Sequence, residues 1–287
     1  MTASREPVAP RGIRQARVNG VDLEYLDQGL GAPVVFVHGA PGDHRVWEGQ
    51  REAVARRYRF IAPNQRYFGT GRWPDDGARF SMETHVDDLA AFVAKLDAGP
   101  VHIVGWSYGG GIALALVARQ PEWVKSLFVF EPGLATFVTD PDDARAAGED
   151  RKDMRAPALE AAKAGDIVGA VRFLVDGISG EPGMFDRLAP AMRSVLLDNA
   201  RTLPLSLTAP PPPLITCSQL EQIQVPVTIV RGELPRSFYR IAAATAHRCI
   251  PASQLAILPG GGHWAPIEHP SAFKEVLLGA LEEQLRR

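Results

Sequence analysis

Along "VDLEYLDQG" (residues 21–29) the apolar Val21, Leu23 and Tyr25 alternate with Asp22 and Glu24 before Asp27. This two-residue period predicts a strand with one face in water, near a sheet edge. "PVVFVH" (33–38) and "VHIVGW" (101–106) are instead continuously apolar and β-branched, as strands covered on both faces must be. They are expected in the middle of a parallel sheet. Between them run "WEGQREAVARRY", a short "RFIAP" and "SMETHVDDLAAFVAKLDA". In the last, Val86, Leu89, Phe92, Val93 and Leu96 recur at helical spacing behind Ser81, a residue type suited to cap the helix. The pattern continues with a helix over 107–119, strands in "VKSLFVFEP", "VPVTIVRGE" and "QLAILPG", and helices over about 236–247 and 270–286. Alternating strands and helices predict an α/β fold, with a mostly parallel central sheet flanked by helices.

Residues 133–222 interrupt the rhythm with helical patterns such as "APALEAAKAGDIVGAVRFLVDGI" and close on "LTAPPPPLIT". Four consecutive prolines fit neither a helix nor a central strand and prefer a stiff extended form. They are expected to form the return leg of a helical lid insertion. The predicted organisation is therefore a core in two parts, 1–132 and 223–287, with the lid at 133–222.

Composition narrows the partners. The 287 residues are 46% hydrophobic and 22% charged, with a formal net charge of -2. That is an ordinary globular balance without the broad basic surface that nucleic acid or an anionic membrane would require. A small-molecule partner is expected, and homo-oligomerisation is left open. Only Cys217 and Cys249 occur, too few and too isolated for a disulfide framework or a thiolate metal site, which favours a reducing compartment. The stretch "MTASREPVAPRGIRQ" has no apolar core of signal-peptide length, and no run approaches the length of a membrane span. These features together predict a cytoplasmic protein.

The candidate chemistry centres on Gly105-Trp106-Ser107-Tyr108-Gly109, where a buried strand meets an Ala/Leu helix. A sharp strand-to-helix turn lifts the serine hydroxyl clear of the sheet, and only tiny neighbours leave room for so close a reversal. Free N–H groups and the positive dipole end at the helix start can stabilise developing negative charge. Such a serine needs a base. Of seven histidines, His263 stands out, because it follows the last strand after three glycines and precedes the closing helix. His38 and His102 lie at the end of and within buried strands and read as structural.

Together these segments resemble the α/β-hydrolase fold family, over nearly the whole chain. "FVHGAPGDHRVW" is similar to its oxyanion loop, "GWSYGGG" to its nucleophile elbow, "GGHWAPIEHP" to its histidine loop, and "APNQRYFGTG" to a variant of its "P-D-x-R-G-x-G-x-S" segment. The resemblance implies an oxyanion hole from the N–H groups of Ala40 and Tyr108, and Pro41, which has no N–H, leaves Ala40 as the natural donor. The acid departs from the commonest pattern: many members carry an Asp three residues after the glycine that ends the penultimate strand, but Gly232 is followed by Glu233, Leu234 and Pro235. Two carboxylates remain. Glu131, at the end of "SLFVFEP", is favoured, because some branches draw their acid from that earlier strand and a carboxylate there needs a buried partner; Glu233 is the alternative.

The expected activity is that of a serine hydrolase cleaving an ester-like bond of a small, partly apolar molecule through an acyl-enzyme, with no metal or organic cofactor. Carbon–carbon bond hydrolysis, lactonase or perhydrolase activity on the same residues, and a non-hydrolytic lyase, cyclase or binding protein, are the rival readings. Substrate contacts are expected from Trp106, Trp264 and Arg45, with Phe137, Phe173 and Phe185 contributing aromatic walls and Arg66 or Arg72 available to an anionic group.

Overall fold

The two unbroken apolar runs lie side by side at the centre of one sheet. A computed structural model describes residues 12–251 and 253–285. The signal-segment reading falls largely on residues 1–11, outside the described residues. The strands are β1 (Gly12–Val18), β2 (Val21–Gln28), β3 (Pro33–Val37), β4 (Arg59–Pro63), β5 (Val101–Trp106), β6 (Val124–Phe130), β7 (Val227–Gly232) and β8 (Ser253–Leu258). Their order across the sheet is β1-β2-β4-β3-β5-β6-β7-β8. β1 and β2 join antiparallel, and every pairing from β4 to β8 is parallel. All six residues of β5 are buried, whereas the burial of β1 and of the edge strand β8 is broken. β1 has no counterpart among the expected elements, since "GIRQARV" offers only Ile13, Ala16 and Val18 as apolar positions, with a one-sided burial that its hairpin with β2 creates.

Helices α1 (Glu48–Ala55), α2 (Met82–Leu96) and α3 (Tyr108–Arg119) cross between the early strands. Ser81 caps α2 as its position suggested, accepting from the Thr84 N–H at 3.0 Å. Between β6 and β7 come α4 (Pro141–Lys163), α5 (Ile167–Ser179), α6 (Met184–Arg187), α7 (Pro190–Asp198), α8 (Leu203–Thr208) and α9 (Cys217–Leu220). The four prolines run without regular structure from α8 to α9, and the Thr136 hydroxyl ties this leg down by bonding the Pro213 and Ile215 carbonyls and the Ile215 N–H. α10 (Ser237–Cys249), α11 (Ala265–Glu268) and α12 (Pro270–Leu285) complete the chain. Among the described residues no helix is long and apolar enough to cross a membrane.

The cysteines correct one expectation. Cys217 and Cys249 form a disulfide with Cα atoms 5.2 Å apart. Thirty-two residues separate them in sequence, but the tertiary path brings α9 beside the end of α10, so cysteine usage gives no support to a reducing compartment.

The register sets where chemistry can occur. Val37 pairs with Gly105, Trp106 with Phe130, Phe130 with Val230 and Gly232 with Leu258. The carboxyl ends of five neighbouring strands therefore form one row, the edge at which open α/β sheets bind ligands.

Candidate active site

Each strand in that row hands its following loop one of the residues singled out above. Ser107 follows β5 with φ 54° and ψ -118°, a conformation that costs a non-glycine residue on the order of 1–3 kcal/mol. Its backbone is held from several sides: its N–H donates to the Phe130 carbonyl at 3.0 Å, and its own carbonyl accepts from Gly111 at 3.0 Å and Gly133 at 2.7 Å. The flanking glycines are required by close approach. A Cβ on Gly109 would sit 2.3 Å from the Val37 carbonyl oxygen, and one on Gly105 would sit 2.8 Å from the Gly109 oxygen.

Glu131 follows β6, also at positive φ (44°), and is fully buried. One carboxylate oxygen accepts from the Gly232 N–H at 2.8 Å; the other lies 2.6 Å from His263 Nδ1. With Nδ1–H donating to the carboxylate, Nε2 of His263 is free to accept a proton. The imidazole is fixed by aromatic neighbours as well: the Tyr239 ring stacks on it at 4.1 Å, and the Trp106 indole N–H donates to the His263 carbonyl at 3.1 Å. Glu233 is exposed instead and accepts from the Gly260 N–H at 2.9 Å, well outside this arrangement. Of the two carboxylates left open by the sequence, only Glu131 meets the histidine.

The loop after β3 is pinned by His38. Its Nε2 accepts from the Gln65 N–H at 3.1 Å and its Nδ1 lies 3.0 Å from the Gly39 carbonyl, while Gln65 Nε2 donates to the His38 carbonyl at 2.6 Å. Burial pushes the His38 pKa down to about 4, so the ring is a neutral brace. Ala40 follows it, at the wall of both cavities that Ser107 lines. Tyr108 opens α3, where the first N–H groups have no intrahelical acceptor. Its hydroxyl donates to His85 Nδ1 at 2.8 Å, and His85 Nε2 lies 3.2 Å from the Arg66 carbonyl. Burial lowers the His85 pKa to about 3, which keeps this ring neutral.

The larger of these two cavities measures about 100 Å³. Ala40, Ser107, Tyr108 and Tyr239 form its floor, and Arg151, Met154, Arg155, Leu174, Leu207 and Pro210 from the helical segment form much of its wall. A smaller recess beside it brings Ser107 and His263 together with Gly39, Trp106 and Trp264. Trp106 and Trp264 thus adjoin the serine but are 2% and 3% exposed, and they pack against each other edge to face. Arg45 does not reach either cavity; its guanidinium is held by Asp43 at 2.6 Å and Asp198 at 2.8 Å. Arg66 is buried in a pair with Asp88. Phe137 and Phe185 are core residues, Phe173 faces solvent, and none of the three lines the cavity. The aromatic lining comes instead from Tyr108 and from Phe238 and Tyr239 of α10. Sequence reasoning missed Tyr239, which lines the cavity with Ser107, stacks on His263, and whose pKa burial raises. Only its place soon after the penultimate strand hinted at it.

Comparison with known proteins agrees with this fold. Residues 32–168 match the profile described as alpha/beta hydrolase fold. The 2-hydroxymuconate semialdehyde hydrolase of Pseudomonas sp. (strain CF600) is 25% identical, with 96% of this chain and 95% of that protein covered. The 2-hydroxy-6-oxo-2,4-heptadienoate hydrolase of Pseudomonas putida is 26% identical over 91% and 92% of the two chains. A solved thermophilic esterase from Thermogutta terrifontis superposes with a TM-score of 0.68 at 22% identity, covering 96% of this chain and 99% of its own. With a matched profile over residues 32–168, hydrolase relatives that span nearly the whole chain and the parallel sheet that aligns these loops, the chain has the α/β-hydrolase fold.

Proposed function

We propose that the protein is a serine hydrolase that cleaves an ester-like bond of a small, partly apolar molecule through an acyl-enzyme. The reading rests on one observation above all: the 2.6 Å contact of His263 Nδ1 with buried Glu131, beside a serine in a strained conformation that shares a recess with that ring. In the first step Ser107 Oγ attacks the carbonyl carbon as its proton passes to His263 Nε2. The carbonyl electron pair moves onto oxygen, which the N–H groups of Ala40 and Tyr108 stabilise. Collapse expels the alcohol, which takes the proton from His263. Water then gives a proton to the same nitrogen and attacks the acyl carbon, releasing the acid and restoring Ser107. Glu131 holds the Nδ1 tautomer and stabilises the imidazolium. The helices between β6 and β7 act as a lid, since they supply most of the cavity wall above the serine.

A second reading, hydrolysis of a carbon–carbon bond next to a ketone, draws on the two Pseudomonas relatives, whose names specify hydroxy-oxo-dienoate and semialdehyde substrates. It would use the same serine and histidine. A fluorophosphonate probe tests what both readings share: the wild-type protein should be labelled at Ser107 and the Ser107→Ala variant should not. An unlabelled wild-type serine would end the proposal. A panel of short p-nitrophenyl esters alongside vinylogous 1,5-diketones would then decide which bond is cut.

A further inference from the structure

The cavity above Ser107 is charged in an unbalanced way. Arg151 and Arg155 both line it, and no aspartate or glutamate does. They stand four residues apart on α4 and so share one face of that helix, an arrangement of like charges that disfavours the helix unless something compensates it. Several other charges on α4 are paired: Arg145 meets Asp142 and Glu149, and Asp150 is taken by Arg236. Neither Arg151 nor Arg155 has an ion pair among the described residues. Arg155 spends one N–H on the Ser206 carbonyl at 2.7 Å, and Arg151 lies 5.8 Å from the centre of the Phe238 ring. The remaining guanidinium donors have no anionic partner. Both groups are only partly exposed, and their burial pulls both pKa values below the ordinary arginine range, Arg155 being lowered further by Arg151. Removing cations from water without an anion is costly, and two guanidinium forks on one wall match the planar oxygen pair of a carboxylate.

We propose that Arg151 and Arg155 form an anion subsite, and that the substrate is a short ester or ketone bearing a free carboxylate, bound with its scissile carbonyl at Ser107. This rests on the serine-hydrolase reading for the position of the carbonyl, but the anion subsite itself does not depend on it. The apolar wall of Met82, Met154, Leu174 and Leu207 would pack the few methylene groups in between. The cavity of about 100 Å³ suits a chain of this modest size. In this proposal an anionic group on the substrate, for which the sequence offered Arg45, Arg66 or Arg72 of the core loops, is met instead by Arg151 and Arg155 of α4.

Calorimetric titration with glutarate and with its uncharged diamide tests the subsite directly. Wild-type protein should bind glutarate at least tenfold more tightly than the diamide, and added salt should weaken glutarate alone. Arg151→Gln and Arg155→Gln should each weaken glutarate at least tenfold, with Arg155→Lys recovering part of the loss. Equal binding of the acid and the diamide by the wild type, or folded glutamine variants with unchanged glutarate affinity, would overturn the proposal; should the variants fail to fold, the wild-type comparison still decides. Fluorophosphonate labelling on the same wild-type samples reports the nucleophile independently. Loss of labelling with retained glutarate selectivity would remove the hydrolase reading and leave the subsite, and the reverse result would do the opposite.

Discussion

Replacing Glu131 by glutamine keeps the shape of the side chain and changes only what it can accept. In the native arrangement its two oxygens receive two donors, the Gly232 N–H at 2.8 Å and His263 Nδ1–H at 2.6 Å. A glutamine has one oxygen and one NH2, so one of these donors must face an NH2 group. If the oxygen stays on Gly232, the NH2 points at Nδ1 and forces the proton onto Nε2, where the ring can no longer accept from Ser107. If the oxygen turns to His263, a buried backbone N–H loses its acceptor, at a cost of about 1–3 kcal/mol. The first arrangement is therefore preferred by about that amount. The wrong tautomer in a related serine–histidine–acid site lowers kcat by about 10⁴-fold, so a loss of roughly 10³–10⁴ is expected here. Glu233→Gln should change kcat by less than about twofold, because Glu233 is exposed and its carboxylate accepts from the Gly260 N–H, away from His263. Initial rates on a p-nitrophenyl ester, together with the rate of fluorophosphonate labelling, measure both variants. A Glu131→Gln enzyme within tenfold of wild type, or a larger loss in Glu233→Gln, would refute the assignment.

Three further outcomes follow from the same contacts. Tyr239→Phe removes the hydroxyl of a cavity wall shared with Ser107 while keeping the ring that stacks on His263; kcat should shift by no more than about fivefold, the equivalent of roughly 1 kcal/mol for one neutral hydrogen bond, and a loss as large as that of Glu131→Gln would give Tyr239 a direct part in proton transfer. Reducing the disulfide, whose cysteines are 32 residues apart, should lower the unfolding free energy by about 3–4 kcal/mol in urea titrations; equal midpoints with and without reductant would show that the link adds nothing. Burial lowers His38 and His102 to about 4 and His85 to about 3, from 6.5. The unfolded chain therefore binds more protons as pH falls from 6.5 towards 4, and stability should decline over that window by on the order of 1–2 kcal/mol per ring at pH 5. A urea midpoint that stays level between pH 7 and pH 5 would contradict this.

The local rules carried far along this chain. Continuous apolar runs marked β3 and β5 as central, because a strand covered on both faces favours apolar side chains throughout; the one buried histidine of β5, His102, is accommodated by the Ser126 hydroxyl 2.6 Å away. Glycines at 105 and 109 marked a turn too close for a Cβ, as their distances to neighbouring carbonyls bear out. Ser107 and the choice between two glutamates could be read because each of these residues sits directly after a strand, and His263 because it lies in the glycine-rich loop that follows β8. What stayed hidden depends on partners distant in sequence. Glu131 was separated from Glu233 by a hydrogen bond across 132 residues. Cys217 met Cys249, and Arg45, already bonded to neighbouring Asp43, was drawn to Asp198 through a contact that no spacing encodes. The face of α4 that turns Arg151 and Arg155 towards the serine, and the helix α10 that lays Tyr239 over the imidazole, belong to the same class. The sequence by itself determined the layers, the strand-end positions and the strained turn that carries Ser107, since these follow from burial and backbone sterics within a few residues. The tertiary structure alone decided which charges are neutralised and which remain free, because charge pairing is set by proximity in space.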